Sequence, residues 1–215
     1  MKNWSWRELG VVTCCLAGLA LLVPGGCRAA RAKAEAFKCV NQQRAMALAF
    51  KVFANDNDDL FPYEMTNSLA YDNSREAWLH FQTLSNELGT PKVLMCPADH
   101  ERESNMASVW GPSIEPKRVD LPSKGNRAVS YFVGIRADES IPSSILLGDR
   151  DVEAPAERLD GRVLRITRPS HLRFTGRLHP NWGYVAMADG SVQQFTEPVQ
   201  KNYPGTNLLL LPLFR

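Results

Sequence analysis

Residues 28–56, RAARAKAEAFKCVNQQRAMALAFKVFAND, decide how this chain is read. The stretch is rich in strong helix formers. Phe37, Val40, Leu48, Val52 and Phe53 recur near helical spacing, while Arg31, Lys38, Gln42 and Lys51 fall elsewhere. A helix from about Ala29 to Ala54 is expected, with those five residues as its apolar face. Asn55-Asp56-Asn57-Asp58-Asp59 then supplies capping and turn residues that stop it before Phe61-Pro62.

Upstream, Leu9 to Val23 is an unbroken apolar or small run, LGVVTCCLAGLALLV, preceded by Trp4 and Trp6 where amphipathic rings sit at a headgroup boundary. The segment is expected to enter a membrane. Its fifteen residues fall short of the roughly 20 a helix needs to cross the hydrocarbon core, so a signal-peptide core fits too. Three readings follow: lipid attachment at Cys27, cleavage near Ala30-Arg31-Ala32, or retention as an anchor that continues into the helix, with Pro24-Gly25-Gly26 kinking or briefly breaking the rod. The composition of residues 28–56 favours retention. Residues 1–26 then form the membrane segment and 27–215 the body.

Further along, Ser74 to Leu88 reads as a second helix with Ser74 as its N-cap, Trp78, Phe81, Leu84 and Leu88 on one face, and Gly89 past its end. Val93–Cys96, Ser130–Ile135, Ile145–Gly148 and Arg162–Thr167 read as strands, and Pro97–Arg127 as a long surface loop. In residues 183–195, GYVAMADGSVQQF, Asp189-Gly190 lies between two alternating runs and signals a hairpin. Turn geometry accounts for Asp189 and Gly190. Asn207 to Arg215 is apolar, too short to span a bilayer, and reads as a final strand or docked tail.

The 215 residues allow one α+β domain with an N-terminal appendage. With 25 basic and 23 acidic residues interspersed, no basic stripe suited to a phosphate backbone is visible, which argues against nucleic acid as a partner. Cys39 and Cys96 lie in the polar body, where they read either as two independent buried side chains or as a disulfide. No CxxC spacing supports structural zinc. Asp56, Asp58 and Asp59 invite calcium, but the loop lacks the Gly and Glu of an EF-hand. His80, His100 and His171 are scattered. A hydrolase built from His179, Asp149 and Ser191 has no GxSxG, HExxH or phosphate-loop support, so the chain is read as a non-enzyme.

Glu8, Pro24, Arg31 to Ala36, Cys39 to Asn41 and Ala54 to Asp59, together with ELGTPKVLMCPAD, SYFVGIRADES, ILLGDRD and HPNWGYVAMADGSVQQF, resemble the pseudopilins of type II secretion systems and related prepilin-like proteins. His179 is followed after nine residues by Asp189-Gly190, a spacing similar to that of one large subgroup. The resemblance implies a pilin-like fold, a long N-terminal helix packed on a small antiparallel sheet. It also implies a single-pass inner-membrane protein whose body is exported to the periplasm, and assembly with sister pseudopilins. Glu8 would be the carboxylate that pairs with a neighbour's amino terminus. Pro24, Cys39, Cys96, His179, Asp189 and Gly190 would have structural roles. Some pseudopilins bind calcium, and no ligand carries over to a residue here. A positive-inside count, with Arg28, Arg31, Lys33 and Lys38 after the apolar run, points instead to a cytoplasmic body. No Gly stands immediately before the apolar helix, where family members are processed. An envelope protein anchored by its signal segment or by lipid, with the same fold and no assembly, is the alternative.

Overall fold

The computed structural model describes residues 6–65, 76–115, 117–153, 158–159, 163–166, 173–180, 182–196 and 207–212; side chains at 16–17, 19–26, 28, 158–159, 166 and 207–208 lie outside that set. Ser74, His171 and the side chain of Pro24 are thus outside the described residues. The fold is α+β with an antiparallel sheet.

Helix α1 spans Trp6–Asn55. It runs without interruption through Pro24-Gly25-Gly26, where the sequence leads one to expect a kink or short break. Proline deletes one hydrogen-bond donor, and the neighbouring turns keep their own bonds. Among the described residues no helix is long and apolar enough to cross a membrane.

The inward face of α1 differs from the one expected. Ala36, Cys39, Gln43, Met46, Ala47, Phe50, Phe53 and Ala54 are buried, whereas Phe37, Leu48 and Val52 are 71%, 61% and 43% exposed. The buried stripe mixes small side chains (Ala36, Cys39, Ala47 and Ala54) with Gln43, Met46, Phe50 and Phe53, of which only Phe53 belongs to the expected face, and Phe50 is set edge-on between Phe61 and Phe81. The helix stops where Asp58 and Asp59 take left-handed backbone angles (φ 55° and 61°), a conformation that aspartate tolerates better than most residues.

The second helical region is α2 (Ala77–Thr83) and α3 (Ser85–Leu88), separated at Leu84, and Gly89 ends it with φ 69°. Val93–Cys96 is no strand. Thr90 caps a 3₁₀ helix over Pro91–Leu94, and Pro91 suits its first turn because the missing N–H would be unpaired there anyway. The expected loop 97–127 contains the helix α4 (Leu121–Lys124) and two 3₁₀ turns, Glu103–Asn105 and Gly125–Ala128.

The main sheet uses β1 (Tyr131–Gly134), β2 (Ile145–Asp149), β4 (Arg158–Leu159), β5 (Val163–Ile166), β7 (Gly183–Met187), β8 (Val192–Phe195) and β9 (Asn207–Leu210), in the order β4-β5-β9-β1-β2-β7-β8. Every neighbouring pair is antiparallel. A separate ribbon pairs β3 (Val152–Glu153) with β6 (Arg173–Phe174). The β7–β8 hairpin turns at Gly190, whose φ of 85° needs glycine, and the Ser191 N–H donates to Asp189 Oδ1 at 2.8 Å.

Both faces of the sheet are covered. Tyr131, Val133, Leu147 and Ala186 pack with the inner face of α1, while Phe132, Ile145, Val185 and Leu209 form a second core with Val152 and Phe174 of the ribbon. Two-sided burial explains why β1 and β2 read as continuous apolar runs rather than alternating ones.

Candidate functional site

Four chemistry-bearing side chains meet where α1 crosses the end of β2. Cys39 comes from α1, Cys96 from just beyond the 3₁₀ helix 91–94, Asp149 from the last position of β2 and His179 from the segment before β7; all four are buried. One ligand-type atom from each lies within 4.8 Å of the others. Cys39 and Cys96, 57 positions apart, are joined by a disulfide with a Cα–Cα separation of 5.4 Å.

His179 supplies one nitrogen to two partners: Nε2 is 3.7 Å from Cys96 Sγ and 3.7 Å from Asp149 Oδ2. Its ring stacks on Trp182, with centroids 4.3 Å apart and planes 11° apart, and meets Tyr184 edge-on. Asp151 holds the segment leading to it, since Asp151 Oδ2 accepts from the N–H groups of Arg177 at 3.1 Å and Leu178 at 3.2 Å. Asp149 accepts from Gln43 Nε2 through Oδ1 at 2.8 Å and from the Tyr184 N–H through Oδ2 at 2.7 Å. Tyr131, opposite Asp149 across β1–β2, places its hydroxyl 3.6 Å from Cys39 Sγ and donates to Gln42 Oε1 at 2.9 Å.

Burial dominates the electrostatics. It pushes the Asp149 carboxyl well above the usual carboxylate range, against the opposing Tyr184 and Gln43 hydrogen bonds. It lowers the His179 imidazole to about 4 and raises the Tyr131 phenol well above 10. Burial thus favours the uncharged form of each of these three groups. The nearest basic neighbour in sequence, Arg150, turns away to Asp99 and Glu101.

Beside the cluster, a groove of about 500 Å³ runs between α1 and residues 92–106, lined among others by Glu35, Lys38, Cys96, Asp99, His100 and Glu103. Asp99 anchors its floor, where Oδ2 also accepts from Ser130 Oγ at 2.7 Å.

The other residues singled out from sequence lie elsewhere. Asp189, Gly190 and Ser191 occupy the turn after β7, whereas His179 precedes that five-residue strand, so about 17 Å separates them at roughly 3.3 Å per residue. His179, Asp149 and Ser191 thus do not assemble as a triad. Asp56, Asp58 and Asp59 are exposed in the turn after α1. Glu8 is exposed in the first turn of α1, and Cys14, Cys15 and Cys27 are exposed along it. Gln43, Tyr131, Asp99, Arg150 and Asp151 escaped the reading of the sequence. The one local signal was Gly148-Asp149-Arg150-Asp151, three charges together at the end of an apolar strand.

No protein-family model, no curated protein and no solved structure matches this chain.

Proposed function

We propose that this chain is a pseudopilin-like structural subunit of the cell envelope, related to type II secretion and type IV pilus-like systems. The first part of α1 anchors it in the inner membrane, the α+β head lies in the periplasm, and the protein works by assembly rather than catalysis. The supporting observation is that α1 exposes large apolar side chains on the side away from its buried face, interspersed there with Asn41 and Arg44. One face is sunk in the head, while Phe37, Leu48 and Val52 are exposed on the other, within about 60° of one another on a wheel of 3.6 residues per turn. Surface apolar residues scattered singly need no explanation, whereas a stripe along a helix that already has a buried face fits a second helix of the same kind. Leu9, Val11 and Val12 are likewise exposed nearer the start. Sister subunits packed through this stripe would bury it, with Glu8 pairing with a neighbour's amino terminus.

A photo-crosslinking residue at Leu48, in cells carrying the full-length chain, tests the reading. Adducts with a second copy or with pseudopilins support it, and Glu8→Ala should reduce their yield. Complete absence of adducts at 37, 48 and 52 would sink it. The alternative, an anchored envelope protein that does not assemble, is favoured by the lack of Gly ahead of the apolar run and by the exposure of Cys27. The intact mass of the native protein separates a lipidated Cys27 from a retained or cleaved anchor.

A further inference from the structure

We propose that Cys39, Cys96, His179 and Asp149 form a four-ligand site for one divalent, borderline-soft cation such as zinc, filled when the Cys39–Cys96 bond is reduced. The disulfide and the metal centre would be alternative states of one buried cluster.

The geometry of His179 carries the argument. In a nucleophile–base–acid relay, the thiol and the carboxylate sit on opposite ring nitrogens, so that one accepts while the other donates. Here Cys96 Sγ and Asp149 Oδ2 both approach Nε2, each at 3.7 Å. One nitrogen cannot serve both in a relay, but a single lone pair directed at a common point between them is what a metal ligand presents. The two separations from His179 Nε2 suit that reading, and opening the disulfide would let the two sulfurs move apart. With metal–sulfur bonds near 2.3 Å and metal–nitrogen or metal–oxygen bonds near 2.0 Å, the edges of a tetrahedron come to about 3.3–3.8 Å.

Donor chemistry agrees. Two thiolates, an imidazole and a carboxylate are the ligand types of tetrahedral zinc, with softness contributed by sulfur. Asp149 is fully buried with no Lys or Arg hydrogen-bonded to it among the described residues, and a dication there would take the place of its proton and offset the charge left behind. The surrounding contacts are those that orient ligands: Gln43 and the Tyr184 N–H fix the carboxylate, Trp182 fixes the imidazole by stacking, and the Tyr131 hydroxyl reaches Cys39 Sγ. Gln43 Oε1, buried beside the cluster, has no hydrogen-bond partner of its own. The groove that reaches Cys96, lined by Arg31, Lys38 and Lys92 as well as Glu35, Asp99 and Glu103, gives a route in from solvent.

The steps balance. Two thiols of an external dithiol reductant pass two electrons and two protons to the Cys39–Cys96 bond, leaving two protein thiols and the reductant's own disulfide. The cation then displaces three protons, one from each thiol and the one that burial keeps on the Asp149 carboxyl, and binds the two thiolates, the resulting carboxylate and Nε2 of the neutral imidazole. The absence of a CxxC spacing is no objection, because each ligand comes from a different element and the fold alone brings them together.

The test titrates Co²⁺, a spectroscopic substitute for zinc, into the full chain under anaerobic conditions, with and without prior reduction. The reduced protein should bind one ion with the intense visible bands of tetrahedral cobalt and a thiolate charge-transfer band, while the oxidised protein binds none. Zinc should raise Tm of the reduced protein only. His179→Gln and Asp149→Asn should each weaken binding by more than about 10-fold, and Gln43→Leu by about 10–100-fold as an outer-shell change. The proposal fails if the folded, reduced protein binds no ion, or binds one with weak octahedral bands. It fails equally if Cys39→Ser with Cys96→Ser leaves binding unchanged, or if a reduced chain that has lost its fold does not regain it with zinc.

Discussion

Arg150 holds Asp99 in a two-pronged grip, Nε to Oδ2 at 2.7 Å and Nη2 to Oδ1 at 2.8 Å, with the carboxylate almost wholly removed from solvent. The pair ties the end of β2 to the segment after Cys96. Removing Asp99 leaves the largely buried Arg150 with only the exposed Glu101 as a partner, and breaking a buried pair typically costs about 3–5 kcal/mol. Asp99→Ala should therefore lower the unfolding free energy by that order, measured by urea denaturation with an unchanged slope. A loss under about 1 kcal/mol would assign the pair no more than the weight of a surface ion pair.

Acid should weaken the same contact. Burial by itself raises the Asp99 carboxyl, but the hydrogen bonds and charge of Arg150 more than compensate and hold it below its usual 3.8. Between the folded value and an unfolded value of about 3.9, the unfolded chain binds more protons at this site. The contribution is thus complete above about pH 4 and is lost as pH falls through the folded value. In Asp99→Asn, stability plotted against pH should be flatter than wild type below about pH 4 and parallel to it above.

The Cys39–Cys96 bond closes a loop across 57 positions, which by chain entropy alone corresponds to about 4 kcal/mol. In metal-free buffer, Cys39→Ala with Cys96→Ala should lower stability by about 2–5 kcal/mol. Oxidised wild type compared with the double variant by thermal melting measures it. Equal melting temperatures would mean that the bond constrains little.

A methyl group on Gly134 would run into the carbonyl oxygen of Ile145. That oxygen belongs to the neighbouring strand, and Gly134 is also paired to Leu209 of β9, so neither backbone can move aside freely. Gly134→Ala should destabilise by about 1–3 kcal/mol, read as a drop in the denaturation midpoint, and an unchanged midpoint would contradict the packing described for β1.

Ending the chain after residue 206 removes β9, the link between β5 and β1, and with it the Pro212 carbonyl that accepts from buried Arg102 Nη2 at 3.0 Å. Amide hydrogen exchange should then show loss of protection throughout β1 as well as β5. Protection retained in β1 would mean that β1 and β2 stand without their last neighbour.

What the sequence disclosed depended on how local the signal was. The 183–195 hairpin, β2 and the helix around residues 29–54 were legible because composition and spacing within a dozen residues set them. The buried side of α1 was not. Phe37, Leu48 and Val52 are its obvious apolar residues, yet the head receives Ala36, Cys39, Gln43, Met46 and Phe50, a face that mixes small, polar and large residues and so lacks a clean apolar period. Pro91, read as the lead-in to a strand at 93–96, instead opens a 3₁₀ turn capped by Thr90. Loop 97–127, poor in apolar residues, nevertheless buries Asp99, Arg102 and Asn126, because each has found hydrogen-bond partners. The cluster at His179 joins residues separated by up to 140 positions, and no local spacing could announce it.

The position of β9 governs biogenesis. Among the described strands, the one latest in the chain sits between β5 and β1, so β4–β5 has no place in the sheet until residues 207–210 arrive. A growing polypeptide cannot close this sheet before residues 207–210 have emerged from the ribosome, so the head is completed after its other described strands have been made rather than strand by strand.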